Sequence, residues 1–141
     1  MRTADSSGTR WLRAVLFVGA LYLVVGLITA ALAKSASSNQ VRVAWRLAAW
    51  AISGAGFGVH IGYEQLRLRS SLVTTAFHVS LAVGLGAFAL AVAARIHSQH
   101  FPAFALVLWP VATALPAFVV ALAAAAVLAR ARSGMQPDST V

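Results

Sequence analysis

Residues 14–33 read AVLFVGALYLVVGLITAALA, twenty positions without one Asp, Glu, Lys or Arg. As a helix rising 1.5 Å per residue this stretch is about 30 Å long, the thickness of the hydrocarbon core of a bilayer. Three further stretches are equally free of charge: residues 47–63, 70–94 and 96–129, which with the first make up 96 of the 141 residues. Charged side chains are 10% of the chain and hydrophobic ones 60%, against about 25% charged in soluble domains. That composition excludes a disordered chain and argues against a soluble globule. It predicts an all-α integral membrane protein.

Each stretch holds one span, at about residues 14–33, 44–65, 72–94 and 104–129, in a single domain covering 1–141. The first has a rival reading as a secretory signal, since Arg2, Arg10 and Arg13 precede it and Ala31-Leu32-Ala33 has the small residues of a cleavage site. Its twenty apolar positions exceed the usual signal core of about 7–15, so a retained helix is expected. Short polar connections, such as Ser35 to Gln40, make successive spans antiparallel neighbours. Four antiparallel transmembrane helices in an up-down-up-down bundle follow. Pro110 and Pro116 fall inside the fourth span, where a missing backbone donor predicts a bend or local unwinding.

The net charge of +8 suggests nucleic acid only if it forms a soluble patch. Here the cations flank spans, as positive-inside topology and headgroup contact require, so nucleic acid is not an expected partner and the lipid bilayer is. With both termini cytoplasmic, seven Lys or Arg lie inside and four outside, the better of the two assignments. Ten Arg against one Lys, with abundant Ala and Val, suggests a GC-rich bacterial genome and hence a bacterial cytoplasmic (inner) membrane. Trp45, Trp50 and Trp109 read as interfacial or packing aromatics.

Span two carries Gly54, Gly58 and Gly62 at four-residue spacing, a stripe that lets another helix approach closely. Packing within the bundle is expected, with a homodimer face and room for a ligand as alternatives. Ser80 and Gly84 of span three are candidate matching small residues.

On the opposite side of span two, Arg46, Ser53, His60 and Arg67 recur every seven residues, with Glu64 one turn after His60. Charged groups are costly in lipid, so this stripe should look inward. His78 of span three lies as far from the turn as His60 does, so the two imidazoles are expected at similar depth, with Tyr63, Glu64 and Arg67 just above. Glu64 is the only acid besides Asp5 and Asp138 near the ends. These five residues, His60, Tyr63, Glu64, Arg67 and His78, form the candidate ligand or proton site.

Three functions fit. In the first, Glu64 pairs with arginine, the histidines fix helix register, and the protein is a scaffold or accessory subunit of a membrane assembly, as a homo-oligomer or with other membrane subunits. In the second, a carboxylate beside imidazoles takes up and releases protons in a small oligomeric proton-coupled transporter or channel. In the third, His60, Glu64 and His78 bind a metal ion, or the two histidines bind haem. His97 and His100 form a loop H-x-x-H that reads as solvated polar groups. Without cysteine, thiolate catalysis, disulfides and thiolate metal sites are excluded. There is no Ser/His/Asp set at one depth and no second carboxylate beside Glu64, so an enzyme is not expected.

Overall fold

The computed structural model describes residues 5–98 and 102–133, and these contain four α-helices and no strand. The helices are α1 (Asp5–Lys34), α2 (Asn39–Leu66), α3 (Leu72–His97) and α4 (Ala105–Ser133). Three of them contain segments long and apolar enough to cross a membrane: Thr9–Lys34, Leu72–His97 and Ala105–Arg132. α2 has 28 residues, ample length for a crossing, but Arg42, Arg46, His60 and Glu64 make it the least apolar of the four.

The caps explain where the helices begin. Ser38 and Ser71 stand in extended conformation before α2 and α3, and their hydroxyls accept from the backbone N–H of Val41 and Thr74. Each cap satisfies a donor that the first turn leaves open. The connection 67–71 turns the chain tightly. Ser70 N–H donates to Glu64 O at 3.1 Å, and Arg69 takes a left-handed φ of 50°.

α3 is the central helix, packed most extensively on α4 and next on α1. Most of its buried positions are small, among them Ala76, Ser80, Ala82, Gly86, Ala87 and Ala91. Large apolar side chains point outward instead, among them Phe17, Trp50, Ile96 and Val107. This arrangement suits a hydrocarbon solvent, where close backbone approach holds helices together and exposed leucines and phenylalanines cost nothing.

The closest helix contact is between α1 and α3. A Cβ on Gly86 would stand 2.7 Å from the Cβ of Tyr22 and 3.2 Å from the carbonyl oxygen of Gly19. The two helices run side by side in the same direction, Trp11 against His78, Gly19 against Ala82 and Gly26 against Leu90.

Three expectations need correction. The stripe Gly54, Gly58 and Gly62 packs against nothing among the described residues, because a Cβ at any of them meets none of their atoms within 4 Å. Ser80 and Gly84 do not match that stripe either. Ser80 donates to Phe77 O of its own helix, and Gly84 faces Ala114 of α4. α2 and α3, though consecutive, are poor neighbours: α2 leans on α1 and meets α3 sparingly, since small residues on α3 favour α1 and α4 as partners. α4 remains helical through Pro110 and Pro116, so of the two expected effects the local unwinding does not occur.

Candidate functional site

The C-terminal turns of α2 and the N-terminal turns of α3 meet at the 67–71 connection, and the polar residues of both gather there. Glu64 is completely buried. Its Oε2 accepts from Ser70 Oγ at 2.6 Å, and its Oε1 lies 3.1 Å from His78 Nδ1, which is placed to donate to it. Next to it, Gln65 is also buried, and its side-chain amide donates to Thr75 Oγ1 at 2.7 Å and to Ser70 O at 3.2 Å. Two neighbouring residues of α2 are thus tied to α3 and to the turn between them. Ser70 serves both, its hydroxyl on Glu64 and its carbonyl on Gln65.

α1 closes the site. The ring of Trp11 stacks on His78 with centroids 4.5 Å apart and planes within 4°. The stack fixes the imidazole plane and brings the start of α1 to the end of α2 and the start of α3. Phe77 tilts against the other side of the neighbourhood at 6.3 Å.

His60 is buried one turn before Glu64, with Nε2 at 3.9 Å from Glu64 Oε1. That distance is beyond hydrogen-bond length, and neither ring nitrogen of His60 has a partner. Of the buried side-chain polar atoms among the described residues, these two and the Tyr22 hydroxyl are the ones left unpartnered.

The structure therefore unites His60, Glu64 and His78, as the spacing implied, and separates Tyr63 and Arg67 from them. Tyr63 is 40% exposed and Arg67 is exposed. Among the described residues no ion pair joins Arg67 to Glu64; the carboxylate takes its bonds from Ser70 and His78 instead. The reason is helical angle, since Tyr63 and Arg67 lie on flanks of α2 that turn away from α3. The inward stripe is likewise only partly inward, because Arg46 is exposed as well.

The metal reading does not fit this geometry. Among the described residues no three His, Asp or Glu side chains are placed to hold a metal ion. Glu64 is hydrogen-bonded to His78 through one oxygen and to Ser70 through the other, and His60 stands 3.9 Å off without a bond, so the trio is not arranged as a ligand set. Nor is there room for a haem between the histidines, with Glu64 beside both rings and Trp11 against the face of His78. His97, expected in the third loop, is instead the last residue of α3, with Nδ1 2.8 Å from Ala93 O of the same helix, and His100 falls outside the described residues.

Sequence reading missed Gln65 and Ser70, and the contact of Trp11 with His78. Gln65 carries a usable signal, a polar residue ten positions from Thr75 across a short connection, the spacing that brings two helix faces together. No family model, curated protein or solved structure matches this chain.

Proposed function

We propose that the chain is a scaffold or accessory subunit of a membrane assembly, with the Glu64 group as the fastening that holds α2 to α3. One observation carries this reading: Glu64 is entirely buried and both of its oxygens are engaged by side chains of its own hairpin. A carboxylate so enclosed has the surroundings of a structural element. In membrane proteins an interhelical hydrogen bond averages about 0.6 kcal/mol and reaches about 1.7, so the set of bonds around Ser70 is enough to fix the register of two helices. The unpacked flank of α2 at Gly58 and Gly62 is free to receive a helix of a second copy or of another subunit. The membrane proposed is a bacterial cytoplasmic membrane, with both termini inside.

A second reading is favoured by His60. A buried imidazole with two unpartnered nitrogens beside a carboxylate is suited to accept and pass a proton. In that reading an oligomer would complete a proton path for a small transporter or channel.

Reconstituted vesicles distinguish the two. For a scaffold, proton flux under an imposed gradient is the same for native protein and Glu64→Gln, while the variant unfolds at a lower denaturant concentration. A flux that native protein supports and folded Glu64→Gln abolishes overturns the scaffold in favour of the proton site. The scaffold also requires that protein extracted from its native membrane in mild detergent migrate as a complex larger than one chain, and migration as a single chain overturns it.

A further inference from the structure

A groove between α1 and α2 begins among cations. Its walls there carry Lys34, the last residue of α1, together with Arg42 and Arg46 of α2, around a volume of about 610 Å³. Gly26, Ala49 and Trp50 border this space and also border a second one of about 660 Å³, so the two adjoin. The second chamber is where α2 diverges from α3 and α4. It is lined by aromatic and small apolar residues, notably Trp50, Gly54, Phe57, Leu90 and Trp109. Each chamber alone has the size of a small-molecule site, for which about 300–1,000 Å³ is usual.

Among the described residues the charges in this groove have no acidic counterpart. Among the described residues neither Lys34, Arg42 nor Arg46 is in an ion pair. No acid lines either chamber, and Glu64, the only acid away from the chain ends, is consumed at the 67–71 connection. Arg46 stands two turns inside α2, about 10 Å along its axis from the first residue, where an uncompensated cation is costly in a membrane. No acid among the described residues answers these cations, which leaves the groove open to an anion from outside the chain. The chamber beyond them, apolar and bordered by the same Trp50, specifies what that anion is attached to.

We propose that this groove is a binding site for an anionic membrane lipid, with its phosphate among Lys34, Arg42 and Arg46 and an acyl chain lying past Trp50 into the chamber beside Gly54 and Phe57. Basic pockets between membrane helices recognise phosphate headgroups in this way, and the adjoining apolar chamber adds selection for a molecule that carries a chain. The Glu64 group plays no part, so the site stands whether the hairpin fastening is structural or a proton site.

Tryptophan emission reads the site directly, because Trp50 and Trp109 line the chamber. The protein is placed in phosphatidylcholine nanodiscs containing a minor, fixed fraction of either phosphatidylglycerol or phosphatidylcholine with brominated chains. Stronger quenching by the brominated phosphatidylglycerol is expected. In the double variant Arg42→Gln, Arg46→Gln that preference should fall by about fivefold for each cation removed, leaving quenching by brominated phosphatidylcholine as it was. Gly54→Leu, at a position where a Cβ meets nothing within 4 Å, should fill the chamber and reduce quenching by both lipids with helix content unchanged. Inorganic phosphate at millimolar concentration should not relieve the quenching. Equal quenching by the two lipids in the native protein overturns the proposal and needs no variant to do so. It is overturned equally by a preference that survives loss of both arginines, by unchanged quenching in Gly54→Leu, or by displacement with inorganic phosphate, which marks a site for a free anion alone.

Discussion

Gly86 and Gly54 show how differently one residue type behaves in a single bundle. At Gly86 the neighbours are the Cβ of Tyr22 and the carbonyl of Gly19, neither of which can swing aside. Gly86→Val is expected to destabilise the fold by about 1–3 kcal/mol, the usual cost of overpacking, read as a lower midpoint of unfolding in mixed detergent micelles. Gly54 faces open space, so Gly54→Ala should be neutral or stabilising by up to about 1 kcal/mol through helix propensity alone. Four-residue spacing picked out the stripe at Gly54, Gly58 and Gly62 and passed over Gly19 and Gly86. Spacing along one helix states only that a face is smooth, and which smooth face is used depends on the partner's shape, here Tyr22 curving over Gly86. The same limit applied at the polar site. Periodicity placed His60, Glu64 and His78 together correctly, because depth and face follow from helix geometry, but it drew in Tyr63 and Arg67, whose angles carry them off the contact.

At the scale of the elements, the connection between α2 and α3 is held by more bonds than its length suggests. Ser70 fastens Glu64, Gln65 reaches over to Thr75, and Ser71 caps the next helix. The cost is borne at Arg69, a non-glycine residue at φ 50°. A β-branched side chain tolerates that conformation worst. Arg69→Val should therefore lower stability by about 1–2 kcal/mol while Arg69→Gly should not, compared by chemical unfolding of the two variants side by side. The helices themselves were legible as charge-free runs, and α3 and the second helix ended within three residues of their expected limits. α1 starts well before the apolar run, at Asp5, because Trp11 continues the helix down to His78 and supplies tertiary contact that hydropathy does not register. The pairing of helices was less legible. Short connections say that two helices are tethered at one end, and α2 and α3 use that tether while diverging beyond it.

For the molecule as a whole, the distribution of side-chain size is the clearest mark of its solvent. Alanines fill the interior and phenylalanines, tryptophans and leucines cover the exterior. The proposed orientation has its own test: Ser37 is exposed between α1 and α2, and the chain has no cysteine of its own. Ser37→Cys should react with an impermeant maleimide added outside intact cells, and protection until the cells are opened would reverse the assignment. The low hydropathy of α2 also bears on how the protein is made. A translocating helix that carries two arginines, a histidine and a glutamate partitions weakly by itself. As a fourth span it would depend on Ser70, Thr75 and His78, which engage Glu64 and Gln65 at its polar end. Insertion of α2 would then be coupled to the helix that follows it, and a ribosome stalled before residue 78 would leave Glu64 without its His78 partner.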